Sequence, residues 1–67
     1  MEFEKAVLGT VAVTLGNWIP ASFTCGSLFV ECDQADSDAL FEVLRKNYTG
    51  RLIKSGPIQG EYAYDFV

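Results

Sequence analysis

The chain has 67 residues, 49% of them apolar and 21% charged, a globular composition with room for one small domain spanning residues 1–67. Nine acids against five bases give a formal charge of −4, so the overall field disfavours nucleic acid and anionic membrane as partners. Two cysteines without a single histidine exclude an ordinary Ser-His or Cys-His nucleophile and make a poor zinc site, so neither a metal nor a cofactor is expected.

The charge is unevenly placed. Residues 1 to 44 carry Glu2, Glu4, Glu31, Asp33, Asp36, Asp38 and Glu42 against Lys5 alone, whereas Arg45, Lys46, Arg51 and Lys54 outnumber Glu61 and Asp65 in the remainder. The apolar run Ala6 to Gly16 resembles the core of an export signal, but acids precede it where such a signal needs bases. No stretch approaches the length of a membrane span, so a cytoplasmic, reducing setting is the expectation.

From the amino terminus, Phe3, Val7, Val11, Val13 and Leu15 share one parity and Glu2, Glu4, Thr10 and Thr14 the other, a pattern that predicts a half-buried strand. Extended, those residues would reach about 46 Å, longer than so small a domain is wide, which requires a break, with Gly9 the natural place for a bulge or turn. Gly16, Asn17 and Pro20 then mark a loop carrying Trp18 and Ile19. An aromatic side chain on a loop held by a rigid scaffold is a typical interface anchor, which makes Trp18 and Ile19 the candidate partner-binding residues; the alternative is that they fold back over the core.

Phe23 to Cys32 predicts a second strand whose parity switches at Gly26, as a bulge near Gly26 and Ser27 would produce. Cys25 and Cys32 are expected to be free, small and apolar, since one strand would hold them about 23 Å apart. The acids from Glu31 to Asp38 lack the spacing and distal glutamate of a calcium loop and instead fit the start of a helix, with Asp33, Asp36 or Ser37 as its cap. Asp36 to Tyr48 predicts that helix, its buried stripe formed by Leu40, Phe41, Leu44 and Tyr48 with Val43 at the margin and Gly50 as the left-handed stop. Beyond it, Arg51–Lys54 and Glu61–Val67 predict a hairpin around Ser55, Gly56, Pro57 and Gly60.

These elements predict an α+β fold: a small antiparallel sheet of about four strands in the order β-β-α-β-β, one helix packed on one face, and no internal repeat. A single helix leaves the other face or an edge bare, so self-association into a homo-oligomer is expected. The carboxylate pairs Glu2/Glu4 and Asp36/Asp38 fall where solvent is expected, glycines occur singly, and no catalytic site is assigned. The leading functional expectation is a small acidic, non-enzymatic protein-protein interaction module, a regulator or inhibitor that occupies a surface of a larger protein, including by mimicry of nucleic-acid charge. The alternative is single-stranded nucleic-acid binding through an aromatic strand face, with Tyr62 and Tyr64 stacking beside Arg51 and Lys54.

Overall fold

Glu2–Leu15 is a helix, α1, and not the opening strand that parity suggested. Phe3, Val7, Val11 and Leu15 stand four apart, and a spacing of four fits a period of two and a helical turn equally well. Two residues separate the readings. A strand would bury Val13 with its parity mates, yet it is 89% exposed, while Leu8, of the opposite parity, packs against the core. Length points the same way, because fourteen helical residues span about 21 Å in a molecule measuring 26 × 22 × 21 Å. Gly16 closes the helix with its amide on the Ala12 carbonyl at 2.9 Å and its φ at +112°.

The computed structural model describes residues 2–67. After α1 come β1 (Ala21–Thr24) and β2 (Ser27–Glu31), α2 (Gln34–Asn47), β3 (Leu52–Ile58) and β4 (Glu61–Phe66). The fold is α+β with a four-stranded antiparallel sheet, but the order is α-β-β-α-β-β and two helices cover the sheet.

What looked like one bulged strand from Phe23 to Cys32 is a hairpin. Cys25 and Gly26 form its two-residue turn with φ of +53° and +79°, and Thr24 pairs with Ser27. Two successive positive φ values match the right-handed twist of the flanking strands, and glycine adopts the second at no steric cost. The parity switch at Gly26 is the reversal itself, because Phe23 and Leu28 become partners on one face. Gln59 and Gly60 repeat the device between β3 and β4 at +55° and +79°. Gly56 and Pro57, expected in the turn, lie within β3, where the register slips between Ser55 and Ile58.

The sheet order β1-β2-β4-β3 places the second strand of each hairpin at the centre. Leu28 faces Tyr64, Phe29 faces Ala63 and Val30 faces Tyr62 across that seam. The chain therefore builds an α-β-β unit twice, with Gly26 corresponding to Gly60 and Phe29 to Ala63 about an approximate two-fold through the seam. This is a repeat of topology that the side chains barely record, which is why sequence comparison within the chain does not reveal it.

Helix α2 carries most of the expected stripe, with Leu40 and Leu44 buried and Phe41 half-buried, but Tyr48 lies beyond its last turn and is half-buried. Asp33 caps it, its Oδ1 accepting the Asp36 amide at 2.8 Å. At the other end the helix stops because Tyr48 is extended (φ −120°, ψ 122°), so Gly50 is not its left-handed terminator. One core joins both units: Val7 and Val11 from α1, Leu40 and Leu44 from α2, Leu28 and Val30 from β2, Tyr62 and Tyr64 from β4. Beside it, Phe3, Phe23, Tyr48 and Phe66 cluster with ring centroids 5.0 to 5.9 Å apart, tying the start of α1 to β1, the end of α2 and the end of β4.

Ser37, unremarked as a core residue, is fully buried, with its Oγ 2.6 Å from the Tyr64 hydroxyl. That hydroxyl also lies 3.4 Å from the Ser37 carbonyl oxygen, to which it can donate while accepting from Oγ. The pair lets two polar atoms sit in the core without an unmet hydrogen bond. Tyr64→Phe leaves the Ser37 hydroxyl buried and unpaired, with an expected loss of about 1–3 kcal/mol. Ser37→Ala leaves the Tyr64 hydroxyl with only its longer bond to the carbonyl of residue 37, a smaller loss, and the double variant is expected to lose less than the sum in urea unfolding.

Burial pushes the Tyr64 phenol up to about 12 from 10.0, against the smaller opposite pull of its Ser37 hydrogen bond; Cys32, Tyr62 and Asp38 add to the rise. The folded state therefore holds this proton more tightly than the unfolded chain. The associated stability is fully present below pH 10.0 and is lost as pH rises toward about 12. The urea midpoint of the native protein is expected to fall across that window, and the same window in Tyr64→Phe is expected to show a smaller fall.

Candidate interaction surface

Four places were available for function: the aromatic strand, the open face of the sheet, the loop after α1, and the outer side of the helices. The alternation of β4 puts Tyr62 and Tyr64 toward the helices, where they are 5% and 0% exposed. Their rings are enclosed by the core, so no base can stack on them. Lys54 shares that side of the sheet: its Nζ is 2.6 Å from Asp38 Oδ1 and sits 5.5 Å above the Phe41 ring and 5.8 Å from that of Tyr62. Arg51 is exposed, its backbone bonded to Val67 in both directions, and by register it belongs to the opposite face. Arg51, Lys54, Tyr62 and Tyr64 thus do not assemble into the stacking platform that the alternation suggested.

The open face, uncovered by either helix, presents Phe29, Ala63 and Ile53 among Ser22, Thr24 and Ser55. It is a mixed, half-polar surface of the kind a solvated antiparallel sheet carries. Ser27 donates to Asp65 across the central seam at 2.5 Å. Glu31 and Glu61 stand directly opposite one another, a like-charge pair that costs stability, with Arg51 the base at the far rim.

The loop between α1 and β1 is built differently. Ile19 turns inward and packs against the core, while Trp18 is left 80% exposed. The loop is braced in three ways: the Ile19 amide reaches the Gly16 carbonyl at 3.4 Å, the Glu31 amide donates to the Pro20 carbonyl at 3.0 Å, and the Trp18 ring lies against Gly16. A Cβ on Gly16 would fall 2.6 Å from that ring, so the bare backbone is what lets tryptophan lie there. Of the two candidate residues, then, Ile19 is the anchor and Trp18 the group on display. Sequence reasoning had paired them because they are adjacent; the loop separates their roles.

On the outer side of the helices, Val13 stands clear of the surface, and an open groove of about 410 Å³ runs along the seam between Ala6, Gly9 and Thr10 of α1 and Val43 and Asn47 of α2. The strand assignment for residues 2 to 15 hid this surface. Its signal was present in the absence of any charged residue from Ala6 to Leu15, where a helix covering one side of a sheet would ordinarily carry charge on its outer side.

Among the described residues no cluster of three or more acids and cysteines converges as a metal site, and no helix is long and apolar enough to cross a membrane. Comparison with known proteins found no matching family model, no matching curated protein and no matching solved structure.

The cysteines differ from their expected equivalence. Both are free, but Cys25 sits exposed in the β1–β2 turn instead of facing inward, and Cys32 is half-buried. Burial raises the Cys32 thiol above its ordinary value, Asp36 and Asp33 raise it further, and Lys54 only partly offsets them. A thiol-disulfide reagent at neutral pH is expected to modify Cys25 first and Cys32 slowly, as peptide mapping after a short exposure would show. Equal rates would mean that the Cys32 side chain is more open than the structure has it.

Proposed function

We propose that the protein is a small acidic, non-enzymatic interaction module, with Trp18 as the residue that enters a pocket on a larger protein. The observation that carries this reading is an 80% exposed tryptophan on a loop whose neighbours are held by backbone hydrogen bonds and by the core contact of Ile19. Exposing so large an apolar ring costs solvation, and bracing it in advance removes much of the ordering entropy that binding would otherwise oppose. Tryptophans in this position are among the residues whose truncation most weakens protein complexes.

Charge narrows the partner. The open sheet face carries Glu31, Glu61 and Asp65, with Arg51 at its rim, so a partner with a basic surface beside an apolar pocket fits both features. Regulation or inhibition of that larger protein, by occupying its surface, is the action this implies. Imitation of nucleic-acid charge is a version of it, favoured by the directly opposed Glu31 and Glu61. A cytoplasmic, reducing setting accords with two free thiols.

The test is a pull-down from the native cell extract with quantified partners. Trp18→Ala is expected to weaken capture by at least about tenfold, whereas Ile58→Ala, which truncates an equally conspicuous side chain (72% exposed) elsewhere, leaves it unchanged. Retention of the same partners at the same strength by Trp18→Ala would remove the loop from the account.

A further inference from the structure

Helix α1 is apolar nearly all round, and a helix of that composition is ordinarily covered on every side. Here its inner side meets the sheet and one flank meets α2, while the outer side presents Val13 at 89% exposure and Gly9 with no atom within 4 Å of where a Cβ would stand. The groove along the α1–α2 seam continues into a second apolar hollow of about 140 Å³ beside Phe3, Leu44 and Tyr48, the two sharing Ala6, Thr10 and Asn47. The strip is mostly apolar, with Thr10 and Asn47 where the two hollows meet, and the described residues leave it uncovered.

Charge decides what covers it. The exposed ionic side chains of the two helices flanking the strip are Glu2, Asp38 and Glu42 against Lys5, Arg45 and Lys46, in balance in a chain whose formal charge is −4. The open sheet face instead has three acids against one peripheral base. Two sheet faces brought together would repel, whereas two helical faces would not. The charges also have a direction: α2 starts at Asp33 and Asp36 and ends at Arg45 and Lys46. Laid parallel on a second α2, like would meet like; laid antiparallel and crossing near Leu44, Glu42 approaches Lys46 of the other copy.

We infer that the outer face of the α1–α2 layer receives a second copy of this chain about a two-fold axis perpendicular to the helices, with α1 on α1 and α2 on α2, each pair antiparallel. The same axis that matches the charges sets Val13 of one copy over Ala6 of the other, where the groove is open, and brings the bare backbones at Gly9 together near the centre. The interface is separate from the Trp18 loop and goes beyond that reading. Two helices side by side offer about 20 × 20 Å, or roughly 400 Å² of footprint from each copy, about half of what stable complexes bury per partner. The dimer is accordingly reversible, with dissociation in the micromolar range.

Sedimentation equilibrium over tens to hundreds of micromolar protein tests it. The native chain is expected to rise from monomer to dimer mass. Val13→Glu and Glu42→Lys each weaken association by at least about tenfold; both side chains are solvent-exposed, and because Glu42→Lys also removes the 2.8 Å bond that Glu42 accepts from Arg45, circular dichroism confirms that each variant is folded. The double variant Glu42→Lys with Lys46→Glu restores it, since the opposed charges are exchanged together. Intermolecular contacts between Val13 and Ala6 methyl groups in a mixed-label NMR sample would fix the register. A strict monomer throughout the range overturns the proposal, as does a dimer indifferent to Val13→Glu and Glu42→Lys. A dimer lost with Trp18→Ala but not with Val13→Glu also overturns it, by moving the contact to the loop.

Discussion

Everything in this molecule depends on the seam between β2 and β4. Each α-β-β unit on its own is one hairpin and one helix, too little to bury an apolar face in water. Joined along Leu28–Tyr64 and Val30–Tyr62, the two hairpins become a sheet wide enough for both helices to lie side by side on it. The four seam residues are the floor of the core, and the buried residues of α1 and α2 are its roof. Strand order follows from this: putting the larger side chains of both units at the centre leaves the short β1 and the irregular β3 as edges, where unpaired backbone is least hazardous.

Among the described residues both helices lie on one face of the sheet and nothing lies on the other, so the open face and the outer helical surface each meet solvent with the side chains they carry. The sheet solves its half of the problem with hydroxyls and carboxylates around Phe29 and Ala63. Helix α2 solves its half with Glu42, Arg45 and Lys46. Helix α1 does not, and Val13 with its neighbours stays apolar on the outside. Trp18 is a second departure from what a monomer needs, held in place by its own loop. These two exposures are the observations on which the two proposed contacts rest.

Much of this architecture could be read from the residues. The helix from Asp36 onward, its Leu40 and Leu44 stripe, the carboxy-terminal hairpin and the antiparallel α+β class all rest on local chemistry carried by the sequence, although the cap was open among Asp33, Asp36 and Ser37 and the hairpin turn lies at Gln59 and Gly60, beyond Gly56 and Pro57. Residues 2 to 15 misled because valines and a phenylalanine four apart satisfy a strand and a helix together, and β-branched side chains favour the wrong one. Cys25–Gly26 misled because a reversal and a bulge both switch parity, and cysteine is an unusual first residue for a tight turn. Burial of Ser37 was illegible, since its reason is a hydroxyl 27 residues away. The Trp18 loop was legible as a place; which of its two apolar residues faced outward depended on packing.

The seam makes a direct statement about cooperativity. If it is what unites two otherwise unstable halves, neither half can open alone, and the central strands must lose protection together. Native-state hydrogen exchange at Leu28 and Val30, compared with Tyr62 and Tyr64, measures this residue by residue. The account predicts one common opening free energy for all four amides, equal to that of global unfolding. Exchange of the β2 amides at a clearly lower free energy than those of β4, with the carboxy-terminal unit still folded, would contradict it.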